Sequence, residues 1–566
     1  MSEEENGKLW RLIYMKKTWW KEAVAYQVYP RSFKDSNGDG IGDLKGIIEK
    51  LDYLKDLGID LIWVSPFFKS PNDDNGYDIS DYRDILEEFG TMEDFDNLLS
   101  ETHKRGMKLI IDLVINHTSD EHPWFIEARE SKDSPKRDWY IWREGKDNEE
   151  PNNWESIFKG SAWEKCEKTD EYYLHLFSKK QPDLNWENEE MRKEIYNMMN
   201  WWLDKGIDGF RVDAISHIKK VDGFPDMPNP DGKKYVDSFD MHMNIDGIQK
   251  YLKELKEETF AKYDIVTVGE ANGVDAENSD EWVGSENGKF NMIFQFEHLK
   301  LWDYEGDTEF CPKAYKDVLN KWQVALENKG WNALFIENHD IPRSTSTWGN
   351  DGEYWLESAK SFATTYFLQK GTPFIYQGQE IGMTNTVFNS LSEFQDVKSV
   401  NEGKEKLEAG MCEKTVLEIL SNTSRDNART PMQWDDSLNA GFTTGKPWLK
   451  VNSNYKNINV QSQIKDENSI YNHYKKLISL KKNSKTLTHG EFKLVFEDDK
   501  HVFAYLRELD NERYLILSNL SEHEKKLNLS EFNIKNEDIV LSNYKIIEKD
   551  LKEFIVRPFE SVVYKI

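Results

Sequence analysis

Cysteine is scarce in this sequence. Cys166, Cys311 and Cys412 are the three among 566 residues, far apart and without Cys-x-x-Cys spacing. An odd, scattered set builds neither a disulfide framework nor a zinc site, so a reducing compartment is expected. Basic charge is also short, with 74 Lys+Arg against 103 Asp+Glu for a formal net charge of −29. That balance excludes nucleic acid as a partner, since phosphate binding needs a basic surface. Long apolar runs are missing: the longest, Leu109–Ile115, is broken by Asp112 and falls far short of the roughly 20 residues that cross a bilayer. No membrane partner is expected. The opening Ser2-Glu3-Glu4-Glu5 is acidic where a secretory leader is basic, and the apolar stretch Leu9–Tyr14 is short and carries Arg11, so a cytoplasmic location is expected. Met15-Lys16-Lys17 reads as a second start, and residues 1–14 are set aside as an extension. Neither Gly-x-Gly-x-x-Gly after the first strand nor a Walker sequence is present, which removes the usual ligand signatures of open α/β sheets.

What is present is apolar surface: 38% hydrophobic residues and 13% aromatics, including 20 Trp, enough for a large globular protein. Strand-like runs alternate with amphipathic helical runs from Val24–Tyr29 through Ile47–Leu57, Ile59–Val64, Phe95–His103 and Lys108–Ile115. After His117 about seventy residues rich in Trp, Asn, Lys and Pro interrupt the rhythm, far beyond an ordinary loop, and read as an inserted subdomain. The alternation then resumes with strands Gly209–Asp213, Ile265–Gly269, Phe290–Phe296, Ala333–Glu337 and Pro373–Tyr376. Eight strands in this order predict a (β/α)8 TIM barrel over 15–117 and 186–484, with the insert, 118–185, after strand three. From about Lys485 short alternating runs separated by charged turns predict a C-terminal all-β sandwich domain, 485–566.

A barrel strand is apolar until it reaches the rim, so polar residues at strand ends carry the information. Strand three ends Asp112-Leu-Val-Ile-Asn116-His117, strand four Gly209-Phe-Arg211-Val-Asp213, strand five Val268-Gly-Glu270 and strand seven Glu337-Asn-His339-Asp340. Three carboxylates and two histidines therefore converge on one pocket. Two carboxylates across a small cleft suit glycosidic cleavage, one attacking the anomeric carbon while the other, its pKa raised by its neighbours, protonates the leaving oxygen. Asp213 and Glu270 are that pair. Arg211, two residues before Asp213 on an extended strand, points to the same side and is expected to hold Asp213 ionised.

Through these strand ends, together with Asn75-Gly-Tyr77-Asp78, Gln181-Pro-Asp-Leu-Asn185 and Arg425-Asp-Asn-Ala-Arg429-Thr-Pro-Met-Gln-Trp434, the chain resembles the α-amylase superfamily, glycoside hydrolase family 13. Within it the resemblance is to the oligo-1,6-glucosidase, α-glucosidase and dextran-glucosidase branch, from Trp19 to the end. The resemblance implies Asp213 as nucleophile, Glu270 as general acid/base and Asp340 as transition-state stabiliser. It implies that His117, His339 and Phe177 contact the bound glucose, that Tyr77 stacks on its face, and that Asp74 with Arg425 binds the terminal 4-hydroxyl. A charged pair closing the site beyond the first glucose implies attack at non-reducing ends of short oligosaccharides.

Asp35-Ser-Asn37-Gly-Asp39-Gly-Ile41-Gly-Asp43 spaces oxygens at every second residue, as a calcium loop does, although it follows a strand and carries Gly46 where an EF-hand has its bidentate Glu. The resemblance implies one structural Ca2+ held by Asp35, Asn37, Asp39, Asp43 and the Ile41 carbonyl, and no organic cofactor. It also bears on linkage: in this branch Val after the nucleophile goes with α-1,6 preference and Ala or Thr with α-1,4. Ala214, with Ala271 and Asn272 beside the acid/base, leads to the expectation of an α-1,4-preferring enzyme, the alternative being an oligo-1,6-glucosidase. Non-catalytic transporter heavy chains need a transmembrane helix and tolerate a broken triad, sucrose isomerases carry an Arg-Leu-Asp-Arg-Asp loop absent after Asp340, and trehalose-6-phosphate hydrolases need a phosphate cluster that the sequence does not reveal.

Overall fold

The computed structural model describes residues 18–147, 149–301, 310–547 and 550–566, so the extension at 1–14 and the start at Met15 lie outside the described residues. Eight parallel strands form one sheet: β1 (Ala25–Val28), β2 (Leu61–Val64), β3 (Lys108–Val114), β4 (Gly209–Asp213), β5 (Val266–Glu270), β6 (Met292–Phe294), β7 (Ala333–Leu334) and β8 (Thr372–Tyr376). Their order, β6-β5-β4-β3-β2-β1-β8-β7, wraps almost fully round and leaves β6 and β7 facing each other across the seam. This is the expected (β/α)8 barrel. Its strands are continuous apolar runs because helices cover the outer face while side chains fill the interior, and β3 accordingly buries Leu109, Ile110, Ile111, Leu113 and Val114.

The covering helices begin where the sequence supplies caps. Thr91 and Asp94 close a capping box on Met92–Lys104, and Asn188 accepts from the Met191 N–H at the start of Glu189–Asp204. The insert after β3 folds as a three-stranded sheet, Trp142–Arg143, Glu171–Leu174 and Trp163–Cys166, around its own core of Trp154, Trp163, Leu174 and Leu176. The C-terminal part carries an antiparallel five-stranded sheet from Glu491–Val495 to Ser561–Lys565 and a two-stranded one, Lys525–Leu527 with Phe554–Val556, which the sequence pattern does not single out. Lys316 ties this part to the barrel by donating to the carbonyls of Phe496, Asp499 and Val502. After β8 two helices, Val397–Glu408 and Glu413–Thr423, pack through Val416 and Leu420 beside the mouth of the barrel. Among the described residues no helix is long and apolar enough to cross a membrane.

Candidate active site

Strand register builds the floor of the site. Asp112 on β3 lies opposite Arg211 on β4, and Val114 opposite Asp213. Arg211 and Asp213 point to the same side because side chains repeat every second residue. The buried Arg211 guanidinium bonds Asp112 (2.8 Å) and Asp213 (2.6 Å) through Nη1 and Glu270 (2.9 Å) through Nη2, while its plane lies over Trp63. One cation therefore serves three carboxylates. Its pull on Asp213 is outweighed: burial, and then the negative charge of Glu270, push the Asp213 carboxyl well above its ordinary value, with Arg211 acting in the opposite direction. This direction runs against the expectation that Arg211 keeps Asp213 ionised.

Ala214, next along the chain, has φ 44 and ψ 28, a left-handed conformation uncommon for a residue with a Cβ. This turn aims its N–H at Glu270, which accepts at 2.8 Å. Backbone geometry thus couples the residue after Asp213 to the partner carboxylate.

Asp340 follows β7 and receives Arg425 Nη1 and Arg429 Nη2, each at 3.1 Å, on Oδ1. His339 Nδ1 faces the Gln27 amide nitrogen at 2.8 Å, and an amide nitrogen only donates. His339 Nε2 therefore carries the hydrogen, within reach of Asp340 (3.1 Å) and the Tyr77 hydroxyl (2.5 Å). Burial raises the Asp340 carboxyl, but His339, Arg425 and Arg429 together hold it well below the usual carboxylate range. Asp340 is therefore ionised at neutral pH.

Arg425 bonds Asp74 at 3.0 Å and lies over the Phe158 ring, and all three line a cavity of about 750 Å3. Of the expected sugar-site residues, Asp74, Tyr77, His117, Phe177, Asp213, Ala214, Glu270, Asn272, His339, Asp340 and Arg425 all line it. Arg211 sits beneath. Tyr77, expected to stack on a sugar, lies face to face with the His339 ring at 5.1 Å and is nearly covered. Ala271 does not reach the cavity: its N–H donates to the Phe294 carbonyl and its methyl is fully buried in the barrel core, because successive residues at a strand end face opposite sides. The expected contact of Ala271 with the substrate is corrected accordingly.

The sequence reading missed Asp396, His217 and His242, and quoted Arg429 without a role. Fully buried Asp396 accepts from Arg425 Nε (2.9 Å) and Nη2 (2.6 Å) and caps Val397–Glu408. Burial raises its carboxyl, yet Arg425 and Arg429 bring it well below the usual range. Arg429 had a signal, since it lies in the same run as Arg425. Asp396 stands in no recognisable pattern.

In the Asp35–Asp43 loop the expected calcium ligands are engaged in hydrogen bonds within the loop and to Thr443. Asp35 accepts from the N–H groups of Asn37 (2.9 Å), Gly38 (2.7 Å) and Gly40 (2.8 Å) and from the Thr443 hydroxyl, so its four lone-pair sites are filled. Asp43 accepts from Ser36 and caps a helix through the Gly46 N–H, while Asn37 and Asp39 bond each other and Asp39 takes the Ile41 N–H. Among the described residues no group of three or more His, Cys, Asp and Glu is placed to hold a metal ion. The expected ligands Asp35, Asn37, Asp39, Ile41 and Asp43 thus share one loop ordered by its own hydrogen bonds, and the structure does not show calcium there.

Burial also governs the site's response to acid. His117 and His217 are pushed down from 6.5 to about 4, and His339 to about 3. In the unfolded chain they would protonate near 6.5, so the folded state binds fewer protons between these values and stability falls with pH there. These histidines should therefore lower the melting temperature as pH falls from 6.5 to 4, against the opposite pull of the raised Asp112 and Asp213 carboxyls; calorimetry of His217→Gln, expected to fall less steeply than the wild type, reads their share, and an identical slope would contradict it.

Paired carboxylates at the C-terminal rim of a TIM barrel, with a third ionised beside them, define a glycoside hydrolase. The alpha amylase catalytic domain model matches residues 27–490 and the SusG C-terminal domain model residues 502–563. The chain belongs to the α-amylase family, glycoside hydrolase family 13, and is an α-glucosidase-type enzyme. It is 56% identical over 97% of its length and all of the relative to a probable oligo-1,6-glucosidase 3 of Bacillus subtilis, and 54% identical over 98% and all of the relative to an oligo-1,6-glucosidase of Parageobacillus thermoglucosidasius. Its fold is similar to a Bacillus licheniformis trehalose-6-phosphate hydrolase in complex with a ligand, at 46% identity and TM-score 0.91 over 97% of this chain and 99% of that one. An isomaltulose synthase from Klebsiella matches at 44% identity and TM-score 0.92, over the same shares. The names of the sequence relatives lend no support to the α-1,4 preference expected from Ala214 and fit the oligo-1,6-glucosidase alternative better.

Proposed function

We propose that the protein is a retaining, exo-acting α-glucosidase that releases α-glucose from the non-reducing ends of short α-glucosyl oligosaccharides, with α-1,6 linkages favoured. The observation that supports the exo mode is the Asp74–Arg425 ion pair in the cavity wall, the pair that the family resemblance assigns to the terminal 4-hydroxyl. Retention is supported by Asp213 and Glu270 sharing one guanidinium, which suits the roughly 5 to 5.5 Å carboxyl separation of retaining enzymes better than the wider inverting gap.

In this reading Asp213 attacks the anomeric carbon as the glycosidic bond breaks, and Glu270 gives its proton to the departing oxygen. Glu270 then takes a proton from water, which displaces Asp213 and restores the α configuration. Asp340, ionised, grips two glucose hydroxyls, with His339 Nε2–H and His117 as further partners. Away from the carboxylate cluster in sequence, the cavity is also lined by Lys159, Lys300, Lys398 and Lys406 with Glu155, Asp237, Glu402 and Glu405. Four cations against four carboxylates suit a neutral sugar and disfavour a phosphorylated one.

The linkage rests on the names of the relatives, so the expected result is a higher kcat/KM on isomaltose than on maltose, measured as glucose release. Ala214 favours the second reading, α-1,4 preference, and maltose as the better substrate would select it. Ala214→Val should shift the ratio further towards isomaltose. It should also lower stability by about 1 to 3 kcal/mol, because a β-branched residue is forced into the left-handed turn. Parallel kinetics and denaturant unfolding of the variant read both effects, and an unchanged ratio would detach Ala214 from specificity.

A further inference from the structure

Gln27 on β1 is a polar side chain in the interior of the barrel, buried to 1% exposure, and no step of the chemistry above uses it. Strand register sets it level with Trp63 on β2 and Tyr376 on β8. Its amide nitrogen lies 3.0 Å from Ser65 Oγ and 2.8 Å from His339 Nδ1. An amide nitrogen carries two hydrogens, so one goes to each neighbour.

The same pairing follows from the opposite side of the site. Asp112 Oδ2 accepts from Trp63 Nε1–H (3.1 Å) and from the Tyr77 hydroxyl (3.0 Å), while Arg211 Nη1 donates to Oδ1 (2.8 Å). The Tyr77 hydrogen is thereby committed to Asp112. The Tyr77 oxygen, 2.5 Å from His339 Nε2, is left as an acceptor, and Asp340 Oδ2 at 3.1 Å is another. Facing two acceptors, Nε2 carries the ring hydrogen. Burial pushes His339 down to about 3 against the pull of Asp340, with Arg211, Arg429 and Arg425 acting in the same direction as burial, so the ring is neutral at pH 7 and has this one hydrogen. Nδ1 is bare, and a bare buried nitrogen needs a donor. Gln27 supplies it. With the amide reversed, its oxygen would meet that lone pair.

We propose that Gln27 is a positioning residue for the reaction: its amide donates to His339 Nδ1, fixes the ring as Nε2–H and keeps that hydrogen on the side of the glucose hydroxyls. Without that donor the hydrogen is free to move to Nδ1, which would set a bare Nε2 against the Tyr77 oxygen and the Asp340 carboxylate. The assignment rests on the reading of His339 as a glucose contact.

Gln27→Leu removes the donor at similar size, and kcat/KM for isomaltose should fall about tenfold or more. In a His339→Ala background the same substitution should cost nothing further, because Gln27 acts through the ring. A residue that only supports the barrel would give two losses that multiply. The tautomer is read by 15N NMR of histidine-labelled protein, with the His339 signal assigned by its disappearance in His339→Ala. At pH 7 the wild type should show the hydrogen on Nε2, and Gln27→Leu should move signal towards Nδ1–H; the wild-type spectrum decides the matter if Gln27→Leu does not fold. Multiplying losses, an Nδ1–H ring in the wild type or an unchanged kcat/KM in Gln27→Leu overturns the assignment while leaving the glucosidase reading intact. A wild type that releases no glucose from isomaltose or maltose overturns that reading and this assignment with it.

Discussion

Asp213→Asn is expected to lower kcat by about 10^4-fold or more while leaving the fold in place. The amide is nearly isosteric with the carboxylate but cannot attack the anomeric carbon. Its structural cost is small because Arg211 keeps Asp112 and Glu270, so no buried cation is stranded. Removing one of two carboxylates that repel each other also relieves the strain that pushes the Asp213 carboxyl up. The variant's melting temperature should therefore stay close to that of the wild type. Single-turnover kinetics measure the loss, and a variant retaining more than about a hundredth of the activity would exclude Asp213 as nucleophile. The same chemistry requires α-glucose as first-formed product of the wild type in an NMR time course; β-glucose appearing first would mean inversion.

Arg425→Ala should damage both activity and stability. Arg425 is bonded to Asp74, Asp340 and Asp396 at once, and Arg429 is the neighbouring cation left to serve Asp340 and Asp396. Stranding buried carboxylates costs about 3 to 5 kcal/mol, and a loss of that size is expected in denaturant unfolding at pH 7. Its pH dependence has a definite sign. Asp340 and Asp396 are held below the ordinary carboxylate value of 3.8, so their pairing contributes stability above that value and loses it as pH falls through the depressed folded range. The gap between wild type and variant should be widest above about pH 5 and narrow towards pH 3. kcat/KM should fall about 10^3-fold, since the glucose pocket loses part of its wall and Asp340 its orientation. Arg425→Lys should recover little, because one ammonium cannot span three carboxylates. A gap that does not narrow in acid would show that Arg425 acts through packing on Phe158 instead.

The barrel and the carboxylates at its rim were legible in the sequence for one reason. A parallel strand covered on both faces must be apolar to its end, so Asp213, Glu270 and Asp340 stand out where β4, β5 and β7 stop. Spacing along an extended chain likewise placed Arg211 beside Asp213, a purely local relation. What tertiary structure decided is what depends on sums over distant groups. Whether Arg211 keeps Asp213 ionised is set by burial and by Glu270, 57 residues further along, and the balance goes against the simple pairing. Asp396 enters the site across 29 residues to Arg425, with no periodicity to mark it. The oxygens of the Asp35–Asp43 loop have the alternation of a cation site, and only the fold shows that Thr443, 408 residues away, also bonds Asp35. Ala271 adjoins Glu270 in sequence but faces the core, because the strand's alternation carries past its end. Local pattern thus determined which residues reach the rim, whereas desolvation, charge and hydrogen-bond competition, which act through space, determined what each of them can do there.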